Sequence, residues 1–124
     1  MKYLICFLLG GGLYVVLEIF WRGYSHYSMA LAGGTCFTLL YGVFTRFPGM
    51  HNLVKCILGT LIITSVEFIA GYIVNLRHRL GVWDYSHLPH NLYGQVCLRY
   101  SLLWAILTMP AAILVEIVYT SKLL

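Results

Sequence analysis

Acidic residues are nearly missing from this chain. Only Glu18, Glu67, Asp84 and Glu116 occur among 124 residues, against eight Lys and Arg. Charged residues make up 10% of the chain, where a soluble domain carries about a quarter. That scarcity excludes an ordinary water-soluble fold. Basic residues form no run or stripe, so the formal charge of +4 reads as affinity for anionic headgroups, with no nucleic acid as partner. No Gly-x-x-x-x-Gly-Lys motif is present, so the chain is not by itself an ATPase of the P-loop type. Cys6, Cys36, Cys56 and Cys97 form no Cys-x-x-Cys pair and lie in or beside apolar runs, as packing residues rather than a disulfide framework. No internal repeat and no low-complexity segment is visible, and one domain over residues 1–124 is expected.

What the chain does have is four long apolar runs. They cover about Tyr3–Trp21, Ser28–Phe44, Leu53–Leu76 and Val96–Tyr119. Each is near the ~20 residues needed to cross a bilayer, the second being the shortest. The first could pass for a signal peptide as far as Gly10–Gly12, but its apolar run continues through Leu13–Phe20, which predicts a retained helix. Pro110 falls near the middle of the fourth run, as a kink position. The fold expected is all-α: a polytopic four-helix transmembrane bundle in the cell membrane, with both termini on one face and almost no β-structure. Lys2, Arg46, Lys55 and Lys122 fall on the terminal face, and Arg22, Arg77, Arg79 and Arg99 on the other, so charge counting leaves the orientation open. It favours a cytoplasmic terminal face if Arg22 and Arg99 are held in a site.

Three of the four acids sit inside these runs. A lipid core penalises a central Asp, Lys or Arg by roughly 2.5–3.5 kcal/mol on insertion scales, and a buried Glu meets a penalty of the same kind. Glu67 lies near mid-span in the third run. Thr60, Thr64, Glu67, Gly71 and Asn75 recur at spacings of four, three, four and four, which puts them on one helical face. Ser101, Ala105, Thr108, Ala112 and Glu116 do the same in the fourth run, and Gly11, Tyr14, Glu18 and Arg22 in the first. Small and hydroxyl residues on such stripes serve close helix packing, and Gly33 and Gly34 predict a tight helix–helix contact. Packing does not account for Glu67, whose carboxyl must be protonated or paired. Glu116 reads as interfacial and structural, near Lys122.

The up-and-down topology brings Glu18, Arg22, Arg77, Arg79, Asp84 and Arg99 to one membrane face. Glu18 and Arg22 are spaced to pair within one helix. Glu18, Arg22, Glu67, Asp84 and Arg99 are therefore expected to converge in one polar site beneath the loop Arg77–Gln95. Two arginines against three acids nearly neutralise one another there. Trp83, Tyr85 and Asn91 of the loop belong to the same candidate site. A buried Glu67 with neither Arg22 nor Arg99 in contact is instead expected to be protonated, which favours proton-coupled chemistry. Asp84, His87 and His90 follow at intervals of three, a spacing that invites a metal, but Pro89 breaks the helix phase and no Cys lies nearby. No metal and no cofactor is therefore expected.

Two stretches carry a resemblance. EIFWRGYSHYSMALAGGTCF around Glu18 and Arg22, and WDYSHLPHNLYGQVCLRYSLLW at Trp83–Trp104, resemble the bacterial CmpB-like, ABC-transporter type IV family. The outline is also similar to the eukaryotic transmembrane protein 229 family. It shares a membrane Glu in the first helix (Glu18), Tyr41-Gly42 ending the second, Glu67 with Gly71 four residues on, and Trp83-Asp84-Tyr85-Ser86 followed by Gly94 and Trp104. His87 and His90 are outside that pattern. The resemblance covers nearly the whole chain and implies the fold and a transport label, but no catalytic residues.

Three functions fit these residues. The first is a membrane component of a transport system, with a Glu/Arg polar site and energy borrowed from elsewhere. Its small size implies a homodimer or a partner membrane subunit, with membrane lipids around it. The second is a small enzyme on a lipid or lipid-linked substrate, with Glu67 or Asp84 as general base and Arg22 or Arg99 holding an anionic headgroup. The third is a non-catalytic adaptor with a purely structural polar site.

Overall fold

A computed structural model describes residues 1–122. Four helices carry the fold: α1 (Lys2–Arg22), α2 (Tyr27–Arg46), α3 (Asn52–Gly71) and α4 (Leu98–Thr120). All four are long and apolar enough to cross a membrane. They match the four runs read from hydropathy, and Leu4, Leu8, Leu61, Ile106 and Ile113 on their outer faces are exposed, as lipid-facing side chains are. The N-terminus of α1 and the C-terminus of α4 meet, with Lys2 Nζ donating to the Tyr119 carbonyl at 2.8 Å. Both termini thus lie at one end of the bundle.

The ends of the helices are set locally. Gly23 closes α1 with φ +81° and gives its N–H to the Ile19 carbonyl. His26 and His51 cap α2 and α3, each ring Nδ1 accepting the backbone N–H two residues on. These two histidines satisfy helix-end donors that would otherwise lack a partner.

The helices pair through small residues. A methyl group on Gly34 would stand 2.7 Å from the Phe7 carbonyl oxygen, and one on Gly33 would stand 2.6 Å from Tyr14 Cβ and 2.9 Å from the Gly10 carbonyl. The expected glycine contact is therefore the seam between α1 and α2, with Gly10 and Gly11 supplying the opposite side. Gly59 of α3 receives Thr108 of α4, which is fully buried. Cys6, Phe37, Leu40, Tyr41, Phe44, Val115 and Val118 form an apolar core toward the terminal end. A second, smaller core of Met29, Val82 and Trp83 lies toward the loop. Helices α1 and α4 meet at few points, and the space between them stays open.

Helix α3 does not end at Gly71. It widens into a π-helical turn, Tyr72–Arg77, with the His78 N–H bonded to the Ile73 carbonyl five residues back. The chain then folds back over the bundle. Two two-residue strands, β1 (Asn91–Leu92) and β2 (Val96–Cys97), pair antiparallel with Asn91 opposite Cys97. The hairpin turns through Tyr93 and Gly94 at φ +55° and +71°. It takes Val96 and Cys97 from the fourth apolar run, so α4 begins at Leu98.

Candidate functional site

The Glu67 stripe faces inward. Thr64 Oγ1 and Ser101 Oγ are hydrogen-bonded at 3.0 Å, which fixes α3 against α4 one turn from Glu67. Glu67 itself is 8% exposed. Trp104 of α4 donates from Nε1 to its Oε1 at 3.2 Å, and Tyr85 of the loop donates its hydroxyl to Oε2 at 3.0 Å. The Tyr85 ring stacks on Tyr100 with centroids 4.8 Å apart, which holds the hydroxyl in place. Burial, then the Glu67 carboxyl beside it, push the Tyr85 phenol up, so it remains a donor.

Among the described residues Glu67 makes no ion pair. Arg22 pairs with Glu18 instead, and its Nη2 is buried without a hydrogen-bond partner among the described residues. Arg22 Nε lies 2.7 Å from Glu18 Oε2, Arg22 Nη1 donates to the Val82 carbonyl at 2.7 Å, and the guanidinium sits 4.4 Å from the Tyr24 ring centroid. Tyr14 links the two acids. Its phenol is within electrostatic reach of both Glu18 and Glu67, and its ring lies 6.0 Å from that of Trp104.

The loop is pinned above this group. Asn75, on the π-helical turn, donates to Gln95 Oε1 at 2.8 Å and accepts the Val82 N–H at 2.7 Å. Trp83 Nε1 donates to the Gln95 carbonyl at 3.0 Å. Trp83 and Gln95 press onto Gly71, where a methyl would stand 2.9 Å from Trp83 Cζ2. Arg22, through Val82, ties α1 to the same network.

Five of the eight expected site residues come together here: Glu18, Arg22, Glu67, Trp83 and Tyr85. Asp84, Asn91 and Arg99 do not. In the loop Trp83 is buried and Tyr85 half-buried, while Asp84 between them is exposed. Its exposed carboxylate accepts the Ser86 N–H at 2.9 Å, which holds it below its usual range. Asn91 is exposed and shapes the hairpin, donating to the Leu88 carbonyl and accepting from Gly94 N–H. Arg99 is exposed; at 3.6 residues per turn it lies about 140° around α4 from Trp104. Sequence reading passed over Tyr14, Asn75 and Gln95 as ligating groups, and used Trp104 only as part of a motif. Asn75 stood on the α3 stripe, and Trp104 falls between Ser101 and Thr108 on the α4 stripe.

A cavity of about 370 Å³ opens beside Glu67. Its walls are Leu13, Tyr14 and Leu17 of α1, Cys36 and Phe37 of α2, and Leu107, Pro110 and Leu114 of α4, with Glu67, Trp83 and Trp104 at its loop end. Leu13, Val16 and Leu17 are exposed at the α1 rim and Pro110 at the α4 rim. The opening therefore faces sideways, between α1 and α4, where acyl chains would lie.

The family model described as Putative ABC-transporter type IV matches residues 5–123. The chain belongs to this family. No curated protein and no solved structure matches it. Family and apolar helices together make it an ABC-transporter-related membrane protein. Two of the family-like motif residues, Trp83 and Tyr85, are those that close the loop over Glu67.

Proposed function

We propose that the chain is a membrane-embedded component of a transport system, with a ligand site at Glu67 entered from the bilayer between α1 and α4. One observation carries this reading. A buried carboxyl, held by two neutral donors and by no cation, stands at the inner end of an otherwise apolar cavity. Its counter-charge must come from a proton or from a ligand. A purely structural acid would be served by an arginine, as Glu18 is by Arg22. The chain carries no P-loop, so ATP hydrolysis of that type would come from a separate subunit. A homodimer or a partner membrane subunit in the cell membrane completes the pathway.

The lipid-enzyme reading gains less from this geometry. It needs an arginine beside the carboxyl to hold an anionic headgroup, and Arg99 and Asp84 are exposed while Arg22 pairs with Glu18 and does not line the cavity.

The test is complementation in a deletion strain, read by lipid composition and by metabolite uptake. The wild-type gene restores the lost uptake, and Glu67→Gln inserts at the same level without restoring it. Co-purification with an ATPase in mild detergent supports the transport assignment. Full complementation by Glu67→Gln makes the polar site structural and gives the adaptor reading the lead.

A further inference from the structure

We infer that the ligand is a lipophilic monocation with a single apolar chain: an alkylamine or alkylammonium amphiphile drawn sideways from the bilayer. This rests on the ligand site proposed above and names its substrate class.

Charge is the first argument. The cavity end holds the Glu67 carboxyl, and Tyr14 brings it within reach of the Glu18 carboxyl as well. Among the described residues Arg22 is the cation in this group; it is paired with Glu18, gives Nη1 to the Val82 carbonyl, keeps a buried Nη2 without a hydrogen-bond partner, and does not line the cavity. An anionic headgroup would be repelled there. A neutral one would leave neutralisation of Glu67 to a proton, whereas a cation supplies the counter-charge itself. A carboxylate offers about four acceptor positions. Trp104 and Tyr85 occupy two. Two remain open, so the oxygens can still face a cationic head, by charge alone for a quaternary one.

The rings are the second argument. Tyr14, Phe37, Trp83 and Trp104 all line the cavity. Aromatic rings lining a cavity with a carboxyl at its end suit organic cations, because the ring quadrupole attracts the charge without hydrating it. A bare metal ion is served badly by the same surround. Among the described residues no three His, Cys, Asp or Glu side chains are grouped to hold one.

Shape is the third. The cavity runs from Trp104 to Leu114 along α4, about 15 Å at 1.5 Å per residue. With a volume of about 370 Å³ it stands at the small end of ligand pockets, with room for one apolar chain inside it. The cationic head sits at Glu67 and the chain runs toward Leu40 and Leu114. Entry between α1 and α4 never requires the chain to leave hydrocarbon.

The experiment is a fluorescence titration of the full chain in a non-ionic detergent, in a Trp21→Phe background so that Trp83 and Trp104 report. The probes are decyltrimethylammonium, decyl sulfate and a neutral decyl glycoside. The cation is expected to change the emission saturably and to bind about tenfold or more tighter than either other probe, the scale of one contact to a charged group. Glu67→Gln should remove that preference. Ala111→Phe, which fills the slot away from the carboxyl, should weaken all binding. Should Glu67→Gln fail to fold, the three-probe comparison on the parent protein still decides. Equal binding of the cation and the neutral probe, abolished by Ala111→Phe, overturns the cation assignment and leaves the lateral site standing. Binding of none of the three overturns both.

Discussion

Trp104 and Glu67, 37 residues apart, meet across the α3–α4 interface through one hydrogen bond, indole Nε1 to carboxyl Oε1 at 3.2 Å. With the Tyr85 hydroxyl on the other oxygen, it turns a costly acid into an organised one.

Removing either donor should expose that cost. Trp104→Phe and Tyr85→Phe each leave a buried carboxyl oxygen without its partner, and should destabilise the protein by about 1–3 kcal/mol. Because both act on one carboxyl, the double variant should depart from additivity. Thermal unfolding in detergent, with Glu67→Gln as the third corner, measures it. Wild-type stability in both single variants would mean that the bonds contribute nothing.

The glycine seam should be strongly position-dependent. Gly34→Ala drives a methyl to 2.7 Å from the Phe7 carbonyl, a backbone atom that cannot turn aside. It should cost about 1–3 kcal/mol, and Gly34→Leu should prevent α1 from seating on α2. Gly12→Ala is the control, because nothing lies within 4 Å of its added methyl. Equal loss of melting temperature in Gly12→Ala and Gly34→Ala would count against close approach as the cause.

Asn75 should hold the loop. Asn75→Ala removes the acceptor for the Val82 N–H and the donor to Gln95 Oε1. Hydrogen exchange at Val82 should speed up while exchange in the middle of α2 stays unchanged. Unaltered protection at Val82 would show that the loop stands without this network.

Tyr85 gives a pH test. Burial, then Glu67, raise its phenol above the ordinary value near ~10. A group raised in the folded state contributes stability that is fully present below its unfolded value and lost as pH rises through the folded value. Wild type and Tyr85→Phe should therefore show the same tyrosinate absorbance through the ordinary tyrosine range while folded. One ionising tyrosine fewer in the variant over that range would contradict the buried position.

The helices were legible because lipid leaves the chain no other choice: four apolar runs of spanning length must become helices. Glu67 was legible because its stripe has a period and its charge has a cost. Asp84 and Arg99 were misplaced because opposite charges on one membrane face invite pairing, while Asp84 is exposed and caps the Ser86 N–H and the turn of α4 carries Arg99 away from Trp104. The hairpin at Asn91–Cys97 lay hidden, since two-residue strands have no periodicity to read. Tyr14 and Trp104 stood on the α1 and α4 stripes, but their role was not legible, since an aromatic residue on an inward stripe looks the same in sequence whether it packs or bonds to a carboxyl.

The most direct measurement is photo-crosslinking with a decyltrimethylammonium analogue carrying a diazirine at its chain end, followed by mass spectrometry. A head held at Glu67 places the label on the cavity walls near Leu40, Ala111 and Leu114, and excess unlabelled cation removes those adducts. Adducts spread over outward residues such as Ile106, Ile113 and Leu61, undiminished by competitor and unchanged by Glu67→Gln, would contradict a ligand site in this cavity.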